Sequence, residues 1–356
     1  MVQMRRRHII IIAVVLVAAA AITAALLLRR GNAPQAARLL PAADAYFYVD
    51  LTPLRAAGLF KNAPANIDPD YAQFVRDTGF QFERDLDQAA FAVHLPSAAD
   101  LASSRTPPET RYSEVFVGRF DGAKLAAYLR RTADSIRPYG NTLIYSIPLP
   151  GRTLRVAVLN KRMVASSNAE SPFAIQEIID RHAETFTGGG PDLLRRYYRH
   201  VPLASLAWAV ARTASADQQG NARFVLPGGF DLFFPPDTVI VAAVRYLGSV
   251  QVRADAFTRT QEDAQHVSDQ LNAFLAIART VEYRAQAGAV DPDLKAFFDS
   301  ISISQFPDRA ELNATIPPGF VKKLVSEPPV EAIGAAPQPE KKPTPKTPRR
   351  RGRTKK

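Results

Sequence analysis

The stretch that decides the fold class runs from Asp237 to Phe257 and reads DTVIVAAVRYLGSVQVRADAF. Its two apolar segments, Asp237–Arg245 and Ser249–Phe257, are rich in β-branched residues and predict two consecutive strands. Thr260 follows as the expected cap of a long helix. Apolar residues recur along that helix at alternating spacings of three and four, which predicts one face packed against a sheet. These residues are Ala264, Val267, Leu271, Phe274, Ala278 and Val281.

Similar signals extend in both directions and predict an α+β fold. The other strand candidates are Ala45–Asp50, Gln88–His94, Glu114–Phe120, Thr142–Ile147, Thr153–Leu159, Met163–Ser166, Ser205–Arg212, Ser300–Gln305 and Ala310–Thr315. Helix starts are expected at Thr52-Pro53, Asp121, Ser171-Pro172 and Asp291-Pro292. Each half contains one strand, a gap, two consecutive strands and an amphipathic helix. This order favours two similar halves, 39–187 and 188–326. Either an old duplication or the independent recurrence of a common strand–strand–helix unit explains their similarity.

The N-terminal region contains an uncharged apolar run from Ile9 to Leu28, flanked by Arg5 to Arg7 and by Arg29 and Arg30. Twenty helical residues span about 30 Å, the thickness of a bilayer's hydrocarbon core. A cleaved signal peptide is the alternative, but its apolar region is usually shorter, about 7–15 residues. We therefore predict a cytoplasmic N-terminus (1–8), an uncleaved transmembrane signal anchor (9–28), a linker (29–38) and an extracytoplasmic body of a single-pass inner-membrane protein.

Positive charge is concentrated at the two ends of the chain. The chain has a formal net charge of +11, yet residues 31–330 hold 31 basic and 32 acidic residues, so the body is close to neutral. The region 327–356 is rich in Pro, Lys and Arg and predicts a disordered tail. Its basic residues form a candidate polyanion-binding tail for anionic lipid or an envelope polymer, or else an inert solubilising tail. They are Lys341, Lys342, Lys346, Arg349, Arg350, Arg351, Arg353, Lys355 and Lys356.

Three short motifs give the body a family resemblance. It opens with Leu40-Pro41-Ala42-Ala43-Asp44-Ala45 and closes with Ile316-Pro317-Pro318. Between them, Thr78-Gly79-Phe80 is followed by the acidic pair of Asp85-Leu86-Asp87. The pattern over residues 39–325 resembles uncharacterised bacterial membrane-anchored proteins with an α+β extracytoplasmic body. The resemblance implies a fold and a location, but no activity.

Two sequence patterns resemble catalytic or metal-binding motifs. Asp77-Thr78-Gly79 matches the aspartic protease tripeptide, but it follows a helical stripe and has no second copy, so we interpret it as a helix end. Glu262, Asp263 and His266 lie close together on the long helix, a spacing that fits either a metal site or a solvated helix face. We favour the solvated face, and the sequence predicts no catalytic residue, metal ligand or cofactor.

Two further segments have open interpretations. Gly188-Gly189-Gly190 suggests a hinge between the halves, and the helix after it mixes arginines with tyrosines, which suits a solvated surface or a clamp for nucleic acid or glycan. The segment from Gly220 to Pro236 combines many aromatic residues with Gly and Pro, which predicts a loop folded over the core or an exposed binding patch. The candidate binding surface consists of Phe230, Leu232, Phe233 and Phe234.

These observations favour a binding or scaffolding protein of the bacterial envelope whose ligand and protein partner the sequence does not identify. A hydrolase acting on envelope polymers is the first alternative, and a cleft with a Ser–His pair or converging carboxylates would support it. A body facing the cytoplasm, with its basic tail bound to nucleic acid, is the second alternative.

Overall fold

The computed structural model describes residues 32–58, 69–95, 110–184, 190–213, 222–226, 230–285 and 292–319. The strands are β1 (Ala45–Asp50), β2 (Leu86–His94), β3 (Arg111–Gly118), β4 (Ser135–Tyr139), β5 (Thr142–Leu149), β6 (Arg152–Asn160), β7 (Met163–Ser167), β8 (Ser205–Arg212), β9 (Ala222–Leu226), β10 (Phe230–Phe234), β11 (Val239–Tyr246), β12 (Val250–Phe257), β13 (Ser302–Phe306) and β14 (Arg309–Ile316). The helices are α1 (Gln35–Leu39), α2 (Thr52–Ala56), α3 (Pro69–Thr78), α4 (Phe82–Asp85), α5 (Gly122–Thr132), α6 (Phe173–Ala183), α7 (Asp192–Tyr197), α8 (Gln261–Ala285) and α9 (Pro292–Ser300).

The strands form one sheet that continues across both halves of the chain. Twelve strands pair antiparallel in the order β13-β14-β12-β11-β8-β1-β2-β3-β7-β6-β5-β4. The halves meet where β1 pairs with β8, in register from Ala45 opposite Ala211 to Val49 opposite Ala207. The fold is therefore α+β, built on a single large sheet. The division at residue 188 stays a prediction made from the sequence.

The predicted architecture, a transmembrane helix followed by the two-half body, is wrong. Across the described ranges, the helices are all too short or too polar to cross a membrane. The run Ile9–Leu28 that prompted the prediction lies outside the described residues, and so does the tail 327–356 that we predicted to be disordered.

The sheet has helices on both faces. On the first face, α1, α6 and α7 cover the central strands, and the core there includes Tyr46, Ile178 and Val210, each fully buried. On the second face, α5 packs near β5 through Leu125 and Leu129, and α8 packs near β14 through Val267. Because alternate residues of a strand point to opposite faces, most central strands are apolar at nearly every position.

The motif that opens the body is held in place by a buried tyrosine. The Tyr46 hydroxyl donates to the carbonyl of Pro41 at 2.9 Å and accepts from the backbone N–H of Ala43 at 2.7 Å. These two hydrogen bonds hold the bend between α1 and β1. Ala36 and Ala37 of α1 are completely buried. Residues 32–38, expected to belong to a linker, therefore form part of the packed body.

Helix starts test the capping predictions directly. Asp121 accepts from the backbone N–H groups of Ala123 and Lys124 at 3.1 Å, which confirms it as the cap of α5. Thr260 likewise accepts from the N–H of Asp263 at 3.1 Å. The Thr52 prediction is wrong, because its side chain caps nothing at the start of α2.

A buried ion network lies on the first face between β12 and β14. The Asp255 carboxylate is almost fully buried and accepts from Nε of Arg253 at 2.9 Å and from Nε of Arg309 at 3.2 Å. Arg253 also pairs with Glu311 at 2.7 Å, and this pairing with Asp255 and Glu311 raises the pKa of Arg253. These four charged groups pair with one another, so they can lie beside the hydrophobic core without leaving a buried charge unpaired.

Candidate functional site

A cleft of about 790 Å³ lies on the first face of the sheet. Its walls come from α1, from the centre of the sheet and from the turn after α7. We name it the aromatic cleft. The residues that define it are Arg38, Tyr48, Gln88, Tyr198, Ala204 and Trp208.

Three aromatic rings form one wall of this cleft. Tyr48 and Trp208 are direct partners across the β1–β8 pairing and stack with ring centroids 5.4 Å apart at 17°. Tyr198 meets Trp208 edge to face at 5.2 Å. Burial raises the pKa of both tyrosines, so their hydroxyls stay protonated and remain hydrogen-bond donors. Tyr48 and Trp208 are each less than a tenth exposed and also belong to the core, so a small, rigid part of their rings faces the cleft and can contact a flat or apolar ligand group.

Arg38 supplies the positive charge of the aromatic cleft, and it is the one charged residue among the described residues that line it. Its Nε is buried and has no hydrogen-bond partner within the described part of the chain. Gly190, at φ +79°, lies so close that a Cβ there would approach Cα of Arg38 to 3.1 Å. Arg38 as a whole is half-buried and lines the cleft, so its guanidinium can meet a ligand anion there.

The turn between the end of the helical segment and β8 forms the rim of the cleft. Ala204 adopts φ +58°, a left-handed conformation that is unfavourable for residues other than glycine. The Ser205 hydroxyl donates to the carbonyl of Pro202 at 2.7 Å and holds the turn closed. Backbone strain of this kind concentrates at ligand sites, which supports the assignment of the cleft as a site.

The hydrolase alternative requires an accessible nucleophile, and the structure provides a Ser–His pair that fails this requirement. His94 Nε2 lies 2.9 Å from the Ser113 hydroxyl, which lies 2.9 Å from the Ser167 hydroxyl. Ser113 has no exposed surface, so a substrate cannot reach it. Burial lowers the pKa of His94, which fits a neutral imidazole held in a structural hydrogen-bond chain.

Asp85 and Asp87, two carboxylates close together in the chain, are each paired with arginines. Asp87 pairs with Arg55 at 3.0 Å and with Arg162 at 2.6 Å. Asp85 pairs with Arg84 at 2.6 Å, and this pairing lowers the pKa of the carboxyl group, although burial opposes it. Asp85 is therefore a poor general acid, because its carboxyl group holds no proton at neutral pH.

The protease-like and metal-like motifs have structural roles or none. Helix α3 ends at Thr78, and Gly79 follows at φ +72°, which confirms that Asp77-Thr78-Gly79 is a helix end. Within the described residues, no group of three or more His, Cys, Asp or Glu side chains is placed to bind a metal. The metal interpretation of Glu262, Asp263 and His266 therefore gains no support.

The candidate binding surface lies on a hairpin rather than on the predicted loop. β9 and β10 pair antiparallel in a separate two-stranded sheet. Leu232 and Phe234 are buried against Ala256, Val267 and Ala310, whereas Phe233 is 40% exposed. Alternation along β10 thus turns two of these residues into the core, and the side chain of Phe230 lies outside the described part.

Gln270 of α8 ties this hairpin to the body. Its amide oxygen accepts from the N–H of Phe233 at 3.0 Å, and its amide nitrogen donates to the carbonyl of Phe233 at 2.9 Å. The glutamine therefore occupies the free edge of β10 as a neighbouring strand would. The loop prediction failed because the segment's Pro and Gly residues lie outside two short strands: Pro227, Gly228 and Gly229 separate β9 from β10, and Pro235 and Pro236 follow β10.

The candidate polyanion tail from Lys341 to Lys356 and the predicted hinge residues Gly188 and Gly189 lie outside the described residues. The tail's binding to anionic lipid or an envelope polymer therefore stays a prediction. Sequence reasoning missed the aromatic cleft, although Trp208, the only tryptophan in the chain, was a signal that could have prompted a closer look.

Comparison with known proteins identifies no family for this chain. No family model matches the chain, and neither does any curated protein. Among solved structures, the chain is similar to TP0453 in crystal form III, with 10% identity and a TM-score of 0.44 over 82% of this chain and 98% of that chain. Crystal form IV matches at 10% identity and a TM-score of 0.41, over 82% of this chain and 96% of that chain. We base no conclusion on a likeness of this degree.

Proposed function

We propose that this protein is a ligand-binding protein of the bacterial envelope, and that its aromatic cleft takes a ligand with a ring or apolar portion and an anionic group. The observation that carries the proposal is the half-buried Arg38, the one charged residue among the described residues that line a cleft walled by stacked aromatic rings. The rings suit the apolar portion, and the guanidinium suits a carboxylate or phosphate. A binding role also fits the buried Ser113 and the neutralised carboxylates, which leave the hydrolase alternative without support.

Trp208 makes this proposal directly testable, because it is the only tryptophan in the chain and lies in the cleft wall. We expect 1-anilinonaphthalene-8-sulfonate to bind the full chain and to receive energy transfer from Trp208. N-phenyl-1-naphthylamine, which has the same rings without the sulfonate, is expected to bind about tenfold more weakly or worse, since a hydrogen bond to a charged group contributes about 1.5–3 kcal/mol.

Arg38→Gln should remove the preference for the charged dye while leaving the uncharged dye bound. Arg130→Gln, an exposed change on α5, serves as the matched control and should preserve the preference. Equal affinities of the two dyes in the unmodified chain, or an unchanged preference in Arg38→Gln, would contradict the proposed role of Arg38. Retained binding of the uncharged dye shows that the variant is folded.

The extracytoplasmic location is part of the proposal and has its own test. The chain has no cysteine, and Lys161 is exposed in the turn between β6 and β7. We expect Lys161→Cys in the full chain to react with a membrane-impermeant maleimide in cells whose outer envelope alone is permeable. Labelling only after the inner membrane is opened would reject the location and favour the alternative of a cytoplasmic body with a nucleic-acid-binding tail.

A further inference from the structure

A second, smaller pocket of about 400 Å³ lies on the other side of the helical turn that borders the aromatic cleft. We name it the basic pocket. Arg195, Arg196 and Arg199 line it from α7 and the short 3-10 helix that follows, and the ring of Phe257 lines it from β12. Tyr198 faces the aromatic cleft, whereas Tyr197 and His200 face the basic pocket.

The positive charge of the basic pocket exceeds its negative charge. Asp308 is the one carboxylate among the described lining residues, and it is already paired with Arg309 at 2.9 Å. Asp192 pairs with Arg195. Arg196 and Arg199 have no carboxylate partner among the described residues. Guanidinium groups this close in sequence repel one another unless an anion lies between them.

His200 lines the basic pocket, and the positive charge there affects its pKa. Its ring packs on Phe257 with centroids 4.4 Å apart, and its Nε2 accepts from Nε of Arg199 at 3.2 Å. A ring nitrogen that accepts carries no proton, so the hydrogen bond describes a neutral imidazole. Burial, together with the charges of Arg199 and Arg309, lowers the pKa of His200 and keeps it in that form.

We infer that the basic pocket is a binding site for a phosphate group, held by Arg196 and Arg199. Arginine presents several donors in a planar fork that matches the oxygens of phosphate, and it stays charged at every physiological pH. Phosphate would take the place of the missing carboxylate partners. The ring of Phe257, packed on His200, also lines the pocket. This site is independent of the aromatic cleft.

Histidine NMR provides a local measurement, because the chain has only five histidines and His200→Gln identifies the signal of His200. We expect inorganic phosphate and methyl phosphate to shift the His200 ring signal in a saturable way at constant ionic strength. Bound phosphate should also raise the pKa of His200, since a nearby negative charge favours the imidazolium form. The signal of His182, on α6, should not change.

Arg196→Gln combined with Arg199→Gln should weaken phosphate binding by at least about tenfold, as expected for the loss of charge-assisted hydrogen bonds. Arg130→Gln with Arg137→Gln is the control, because it removes the same charge from exposed positions on α5 and β4. An unmoved His200 signal in the unmodified chain would overturn the inference. Equal weakening of phosphate binding by both double variants would also overturn the inference, because binding would then depend only on the net charge of the chain.

Discussion

Replacing Asp255 by asparagine is expected to lower the free energy of unfolding by about 3 kcal/mol, among the largest losses available to a single isosteric change in this chain. Asp255 is 1% exposed and binds Arg253 and Arg309 together. Its neutralisation leaves Arg253 with Glu311 alone and Arg309 with Glu311 and the exposed Asp308, and both arginines are themselves largely removed from water. Urea unfolding of the full chain, followed by far-UV circular dichroism, measures the loss.

Asp308→Asn is the matched control, because Asp308 also pairs with Arg309 but is 61% exposed. Exposed ion pairs contribute only about 0–1 kcal/mol, so this variant should unfold almost like the unmodified chain. Similar losses for Asp255→Asn and Asp308→Asn would mean that burial is not what makes the network important.

Phe234→Ala is expected to destabilise the protein by about 3–5 kcal/mol, the usual range for truncating a buried aromatic residue. Phe234 lies in the cluster that joins the β9–β10 hairpin to α8 and β14, so its removal opens a cavity there. The melting temperature and the urea midpoint of the full chain both report this change.

Phe233→Ala provides the comparison within the same strand. Phe233 is 40% exposed, and its tie to Gln270 uses only backbone atoms, which alanine retains. We expect its loss to be a fraction of that for Phe234→Ala. If the two truncations are equally mild, the hairpin does not pack as described, and the candidate binding surface regains its place as an exposed patch.

Local sequence signals were sufficient for much of the secondary structure. β11 and β12 could be predicted to within two residues, because β-branched and apolar runs are local properties of the chain. The cap at Asp121 could also be predicted, since a capping side chain reaches only two or three residues along the backbone. At helix α2 the local prediction chose the wrong neighbour: Asp50, not Thr52, supplies a side-chain acceptor there, and it accepts from the N–H of Thr52.

Strands that depend on a partner could not be predicted in this way. β4 contains Arg137 and Pro138 and is mostly exposed, so its own residues do not mark it as a strand. It exists because β5 pairs with it at the edge of the sheet, where proline is tolerated. The same applies to β9 and β10, whose Gly- and Pro-rich connection suggested a loop.

The aromatic cleft depends on contacts between residues that are far apart in the chain. Arg38, Tyr48 and Trp208 belong to three separate elements, and only the pairing of β1 with β8 brings the two rings together. The sequence predicts a hinge between the two halves, at Gly188-Gly189-Gly190. No local pattern indicates that two edge strands will join, because the signal is an unpaired backbone edge on each side.

The seam between β1 and β8 also limits how the protein moves. Many clefts between two halves open and close when one half rotates against the other. Here backbone hydrogen bonds join β1 to β8 from Ala45 to Val49. Rotation of one half against the other would have to break all of these hydrogen bonds together. We therefore expect the volume beside Trp208 to stay constant when the proposed ligand enters or leaves. Its exchange is then expected to depend on small displacements of α1 or of the turn at Ala204, so that the rate of release is set by a few residues rather than by a domain movement.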